Sequence, residues 1–163
     1  MTAQDVQAYQ NVRYAVLSSD PVAFVTTAAE FAERDVEGIA AQISPTENAV
    51  TFGAFLDGKL VGILSLARET RPSIRHRASI YGVGVLNEAR GQGAGDALMN
   101  AAIQHAEQWE GLTSLHLAVV ETQHTARKLY ERHGFKVWGT QPDAVRHDGK
   151  TYSERWLWCE LTR

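Results

Sequence analysis

The chain has 163 residues, 44% of them hydrophobic and 21% charged, a length and composition typical of one globular domain over residues 1–163. The formal net charge of -3 creates no basic surface field, so nucleic acid is not expected as a partner. The polar start of the chain and its short apolar stretches predict neither a signal peptide nor contact with a membrane. Cys159 is the single cysteine, so no internal disulfide is expected, and we predict a cytoplasmic protein.

The first part of the chain predicts two helices followed by a β-hairpin. Apolar residues at helical spacing predict a helix over residues 4–18 and a second helix over Ala32–Ser44. Residues 22–32 between them carry no clear pattern. Two apolar runs then flank Asp57–Gly58, a dipeptide that accepts the positive φ angles of a tight turn.

The second part alternates strands and helices. The pattern predicts a strand over Arg77–Leu86, a helix over Gly95–Trp109, a strand over Ser114–Val120 and a short helix that ends at Gly134. Two final strands, around "FKVWGT" and "YSERWLWCEL", are joined by a polar loop that contains Asp148–Gly149. Because the chain shows neither repeats nor a linker, we predict a single α/β domain.

A glycine-rich turn separates the third strand from the helix that follows it. A Walker A loop would need a lysine where this chain has Asp96, and a Rossmann fingerprint would need a third glycine there. The spacing of Arg90, Gly93 and Gly95 instead fits an R-x-x-G-x-G turn, whose backbone N–H groups and following helix N-terminus suit a pyrophosphate. A plain strand-to-helix turn is the alternative explanation.

Two longer motifs support a phosphate-binding role for this turn. The stretch "VLNEARGQGAGDALMNAAIQHA", followed by "LHLAVVETQHTARKLYERHGF", resembles the two central motifs of the GNAT superfamily, the acyl-CoA-dependent N-acyltransferases. The resemblance spans about Tyr81 to Phe135. It implies a mixed, splayed β-sheet of about six to seven strands flanked by helices. It also implies an enzyme that transfers acetyl from acetyl-CoA to a primary amine of a small molecule or peptide.

The resemblance also implies which residues bind the donor. The turn would wrap the pyrophosphate of coenzyme A, and the backbone of the preceding strand would pair with the pantetheine arm. The family's usual asparagine in the second motif is a glutamine here. The implied cofactor-binding residues are Val83, Gly84, Val85, Arg90, Gly91, Gln92, Gly93, Ala94, Gly95, Asp96 and Gln123.

Tyr130 stands where the family often places the acid that protonates the leaving thiolate. A phenol with a pKa near 10 remains protonated at pH 7 and can donate that proton. A half-buried packing role on the same helix is the alternative. The general base is open between Glu69, which we favour as the catalytic partner, His116 and Glu121.

The acceptor is expected to contact the parts of the chain outside the motifs. Phe24, Tyr81 and Tyr152 are the candidate acceptor-binding residues. The six histidines show no metal-ligand spacing, so no metal is expected. A homodimer through the C-terminal strands stays open. The alternatives to an acetyltransferase are a non-catalytic acyl-CoA-binding sensor or module and a nucleotide-binding enzyme of another fold.

Overall fold

Within residues 1–162, which the computed structural model describes, six strands form one sheet in the order β1-β2-β3-β4-β6-β5. Strands β3 and β4 run parallel, and the other neighbouring strands run antiparallel. The predicted mixed sheet is therefore confirmed. The strands are β1 (Ala49–Leu56), β2 (Lys59–Arg68), β3 (Arg77–Val85), β4 (Ser114–Val120), β5 (Lys136–His147) and β6 (Lys150–Glu160).

Helices flank this sheet, as predicted. Short 3-10 turns lie at Ala3–Asp5, Pro72–Ile74 and Asn87–Ala89. The α-helices are α1 (Val6–Ser19), α2 (Ala28–Ala32), α3 (Val36–Ile43), α4 (Ala94–Glu107) and α5 (His124–Arg132).

Side-chain caps explain why the second predicted helix is wrong at its start. Helix α3 begins at Val36 because the carboxylate of Asp35 accepts a hydrogen bond from the N–H of Gly38. The residues before it form the separate helix α2, where Thr27 and Glu30 exchange the two hydrogen bonds of a capping box. The two caps therefore produce two short helices, whereas the apolar spacing alone predicts one helix that begins at Ala32.

Two hydrophobic cores lie on opposite faces of the sheet. Alternate residues of β2 point to opposite faces, and Leu64 and Leu66 join the core beneath α4 and α5. Val61 and Ile63 join the core beneath α1, α2 and α3. Strand β2 is buried along most of its length because helices cover both its faces.

The C-terminal hairpin is longer than predicted. Strands β5 and β6 extend to a two-residue turn at Asp148–Gly149, where both φ angles are positive. A register shift between Gln141 and Val145 interrupts their pairing. The residues that the sequence assigned to a polar loop therefore belong to the hairpin, with the irregular segment inside β5.

Strands β3 and β4 separate after a short paired region. Their pairing covers Arg77–Ser79 opposite Ser114–His116. Beyond it, β3 carries a bulge against β2, where Gly82 adopts φ +62°, and a bulge bends the strand that contains it. The predicted splay is confirmed, and it opens a gap between the two strands.

Candidate active site

A cleft of about 1030 Å³ occupies the gap between β3 and β4. Residues 79–85 of β3 form one wall and residues 116–119 of β4 form the other. The glycine turn (residues 90–96) and the start of α5 also contribute to the lining, and we call this group of residues the donor end. We use the name acceptor end for a second group of lining residues, residues 20 and 23–26 between α1 and α2 together with Arg13 and Tyr81.

The glycine turn leaves its backbone open toward the cleft. Gly91 and Gly93 adopt φ +76° and +85°, and a Cβ on either would meet no other atom within 4 Å. Gly93 is the N-cap of α4, and no side chain caps the helix there. The N–H groups of the first turn of α4 are therefore available to an anion, which the positive end of the helix dipole also favours.

Gly95 has a different role from its two neighbours. A Cβ on Gly95 would lie 3.1 Å from Cδ2 of Leu129, a buried residue of α5. Its small size allows α4 and α5 to pack closely beside the cleft. The three glycines of the predicted phosphate loop thus serve two needs, an open backbone at Gly91 and Gly93 and helix packing at Gly95.

Two side chains of the predicted donor site interact with the protein itself. Asp96 lines the cleft, and its carboxylate accepts hydrogen bonds from Arg132 Nε and Nη2, both at 2.7 Å. These bonds and the contact with His133 hold the pKa of Asp96 well below its ordinary value. Gln92 does not line the cleft, and its Nε2 donates to the carbonyl of Glu88 at 3.2 Å.

The remaining predicted donor residues all line the cleft. Val83, Gly84 and Val85 present the edge of β3 that has lost its β4 partner. A Cβ on Gly84 would lie 2.5 Å from Cγ1 of Val16, so this glycine lets α1 pack against the strand. Gln123 is the N-cap residue of α5, and its amide donates to Thr122 Oγ1 at 3.3 Å.

Tyr130 belongs to the core and to the cleft wall at once. It is 6% exposed, and its ring packs edge-on against Phe135 with the ring centres 6.3 Å apart. It also lines the cleft. Burial raises the pKa of Tyr130 above its ordinary value, so the phenol stays protonated across the neutral range.

The three bases considered from the sequence are placed differently. Glu69 lies outside the cleft lining, just after β2, where its backbone N–H donates to the carbonyl of Arg77 at 3.0 Å. Glu121 also lies outside it and accepts a hydrogen bond from the N–H of Ser153 at 2.8 Å. His116 does line the cleft, with Nε2 3.0 Å from Ser114 Oγ. Burial lowers the pKa of His116, which favours its neutral form.

Glu154 is a cleft residue that the sequence reasoning missed. It lies on β6 opposite Val120 of β4, half-buried in the cleft wall. Burial raises the pKa of its carboxyl group. A signal was present in the sequence, because strand alternation puts Glu154 on one face of β6 with Trp156 and Trp158. A carboxyl group on a strand face that otherwise carries aromatic side chains indicates a carboxyl group that is partly shielded from water.

The predicted acceptor-binding residues also divide. Phe24 and Tyr81 lie at the acceptor end of the cleft, and Tyr81 is 44% exposed. Tyr152 does not line the cleft and pairs with Val145 in the C-terminal hairpin. Arg13, which the sequence reasoning did not select, places its guanidinium carbon 4.8 Å from the centre of the Phe24 ring.

Two kinds of feature are absent from the described part of the chain. Residues 1–162 contain no cluster of three histidine, cysteine, aspartate or glutamate side chains arranged to hold a metal ion. No helix among these residues has both the length and the apolar character that crossing a bilayer requires.

Comparison with known proteins identifies the family. Residues 15–135 match the family described as the Acetyltransferase (GNAT) family. The L-amino acid N-acetyltransferase AaaT of Escherichia coli (strain K12) is 30% identical over 102 residues, which cover 63% of this chain and 57% of that protein. The match spans little more than half the length of the curated relatives.

Solved structures show the same fold over nearly the whole chain. A GCN5-related N-acetyltransferase from Kribbella flavida is 27% identical, with a TM-score of 0.74 over 96% of this chain and 89% of that one. A GNAT-family acetyltransferase from Streptococcus pneumoniae has a TM-score of 0.75 at 24% identity, over 99% of this chain and 96% of that one. This chain belongs to the GNAT family of acetyltransferases.

Proposed function

We propose that this protein transfers an acetyl group from acetyl-CoA to a primary amine of a small molecule or peptide by direct attack on the thioester. One observation carries the proposal: a single cleft joins the unpaired edge of β3, the open glycine turn and the buried phenol of Tyr130. A backbone edge, an anion-binding turn and a proton donor are what this reaction needs from a protein.

The donor end fits a CoA-type ligand. The open N–H groups at Gly91, Gly93 and the first turn of α4 would receive the pyrophosphate, and Arg90 would add positive charge. The edge of β3 at Val83–Val85 would accept an extended amide chain as a neighbouring strand does. Arg132 offsets the charge of Asp96, which lowers the repulsion that this carboxylate would exert on a phosphate.

The reacting groups of the chain have separate tasks. Acetyl-CoA supplies the activated acyl carbon. Glu154, or the neutral imidazole of His116, accepts the proton that the attacking amine loses. Tyr130 donates its proton to the leaving sulfur, and backbone N–H groups along the free edge of β3 stabilise the developing oxyanion. Because Glu69 lies outside the cleft lining, Glu154 replaces it in this proposal.

The acceptor is proposed to be a small amine. The relative from Escherichia coli is named for action on L-amino acids, and amino acids therefore head the acceptor panel. A cytoplasmic location stays a prediction from the sequence, and a homodimer stays open.

Thiol release measures the reaction. The purified protein, acetyl-CoA and panels of amino acids, polyamines and peptides are combined, and mass spectrometry identifies any acetylated product. We expect turnover with at least one amine class. Acetyl-CoA and CoA are also expected to raise the melting temperature much more than NADH does. Strong stabilisation by CoA without turnover of any amine would instead support the acyl-CoA sensor, and stabilisation by NADH alone would contradict both.

A further inference from the structure

Arg13 brings an uncompensated positive charge to the acceptor end of the cleft. Its guanidinium lies over the ring of Phe24, and a Cβ on Gly82 would be 3.7 Å from its Nη1. Nη1 is closed off from solvent and has no hydrogen-bond partner among residues 1–162. A buried donor without a partner destabilises the protein, so this unpartnered Nη1 at a ligand cleft points to an acceptor atom that a ligand supplies.

Arg13 differs in its location from the other residues that have a buried side-chain atom without a hydrogen-bond partner. The other buried side-chain atoms without partners in the described residues belong to Asn48, Arg77, Arg127 and Arg155, none of which lines the cleft. Arg13 Nη1 is thus the one such atom of residues 1–162 that belongs to the cleft wall. Because Arg13 lines the cleft, a ligand bound there could supply the hydrogen-bond acceptor that Nη1 lacks.

Among residues 1–162, no carboxylate forms an ion pair with Arg13. The groups that act on the pKa of Arg13 are burial, which lowers it most, and the side chains of Tyr9 and Arg34. Of the three acids that line the cleft, Asp96 pairs with Arg132, and neither Asp20 nor Glu154 forms an ion pair with Arg13. A guanidinium keeps its proton under all ordinary conditions, so Arg13 itself attracts an anion.

We propose that Arg13 binds the carboxylate of the acceptor, which is therefore an α-amino acid or a similar amine with a carboxylate near its amino group. This inference rests on the proposed function and specifies its substrate class. A planar guanidinium matches the two oxygens of a carboxylate. The half-buried carboxyl group of Glu154 in the same cleft complements the ammonium group of such a zwitterion.

The position of Arg13 favours the acceptor over the donor as the source of the carboxylate. Arg13 lies over the ring of Phe24 and beside Gly82, whereas Val16, one turn further along α1, lies beside Gly84 and thus nearer the glycine turn. The phosphates of the donor are expected at the glycine turn, where Arg90 lies. An acyl group that carries its own carboxylate, such as succinyl, is the other source, and a donor comparison separates the two.

Matched substrates test the inference directly. Each of the common α-amino acids with an uncharged or cationic side chain is compared with its α-carboxamide, which keeps the amine and side chain but lacks the negative charge. Wild-type protein is expected to prefer the acid by about 100-fold in kcat/KM, the scale of a buried charge pair. Arg13→Gln is expected to remove this preference mainly through KM for the acid, while rates with amides stay within a few-fold.

Two further variants serve as controls. Arg34→Gln removes a neighbouring arginine whose side chain bonds to Gln42 outside the cleft lining, and it is expected to keep the preference. Arg13→Lys keeps the charge without the planar fork, and it is expected to retain an intermediate preference. If Arg13→Gln does not fold, Arg13→Lys and the wild-type substrate comparison still decide the question.

Binding without turnover separates this inference from the proposed function. Thermal shifts of wild-type protein with the same amino acids and their amides are expected to show stabilisation by at least one acid and less by its amide.

Efficient transfer to amides and acids alike would overturn the role of Arg13 but not the acetyltransferase. Arg13-dependent binding of acids without transfer would overturn the proposed function alone. A preference for succinyl-CoA that Arg13→Gln removes would assign the carboxylate to the donor and overturn the inference.

Discussion

Asp96 in the first turn of α4 and Arg132 in the last turn of α5 form a two-bond ion pair, with both nitrogen-to-oxygen distances at 2.7 Å. His133 approaches the same carboxylate at 2.8 Å. This contact joins the helix that follows the glycine turn to the helix that carries Tyr130. It therefore fixes the proposed anion site and the proposed proton donor relative to each other.

Replacing Asp96 by asparagine is expected to lower the free energy of unfolding by about 1 kcal/mol at pH 7, the scale of a partly exposed bidentate pair. Hydrogen bonds from Arg132 and His133 lower the pKa of Asp96 in the folded state. The stabilisation is therefore full above the unfolded-state pKa of about 3.9 and is lost as pH falls toward the folded-state value. Denaturant titrations of both proteins from pH 7 to pH 3 measure the difference. An equal deficit at pH 3 and pH 7 would show that the ion pair is not its source.

The glycine turn gives a second prediction. Gly93→Val is expected to weaken CoA binding by about tenfold or more, because the branched side chain fills the open approach and disfavours φ +85°. Isothermal titration with CoA measures the affinity, and circular dichroism checks the fold.

Gly58→Val is a matched control for this variant. Gly58 has φ +78° and open space around it, as Gly93 has, but it lies in the β1–β2 turn outside the cleft lining. Both variants are expected to lose stability, and the loss of CoA affinity is expected in Gly93→Val alone. Equal CoA affinities in the two variants would contradict the role of the glycine turn.

Much of the fold could be predicted from local pattern. Residues Ser114–Val120 form the strand that their alternation indicates. Asp57–Gly58 makes the turn that its dipeptide favours, with both φ angles positive. These elements were predictable because the physical cause lies within a few residues of chain. The boundary at Val36 was missed because a single capping side chain, Asp35, outweighs the apolar spacing around it.

The site was predictable only where its residues belong to a motif. The glycine turn and Tyr130 come from continuous motifs, and both line the cleft. Arg13 and Glu154 come from the two ends of the chain. Packing of α1 against β3 brings Arg13 to the cleft, and the sheet order brings Glu154. Tertiary packing alone brings them to the site, and the same packing leaves Glu69 and Tyr152 outside its lining.

Tyr130→Phe tests the proposed proton donor. The change removes one hydroxyl and leaves the packed ring, so kcat is expected to fall by roughly 100-fold while acetyl-CoA affinity stays within a few-fold. Because burial raises the pKa of Tyr130, we expect no loss of activity from its ionisation up to about pH 10.

Tyr14→Phe supplies the control for general effects of losing a phenol. Tyr14 is 50% exposed on α1 and does not line the cleft, so its variant is expected to keep the wild-type kcat. Steady-state kinetics of the three proteins are compared with the same amine. A Tyr130→Phe protein that folds normally and keeps its kcat would assign Tyr130 to packing and the proton to solvent.

Glu154→Gln tests the proposed base. Burial raises the pKa of Glu154, so the fraction in the proton-accepting form increases with pH through a range above the usual carboxyl value. Wild-type kcat/KM is expected to rise along this limb, and the glutamine variant is expected to lose the limb together with roughly 100-fold in rate. The amine's own ionisation produces a second limb at higher pH, which both proteins keep.

Glu160→Gln, an exposed change on the same strand outside the cleft lining, is the control and is expected to match wild type. An unchanged acidic limb in Glu154→Gln that disappears in His116→Gln would assign the base to the imidazole instead.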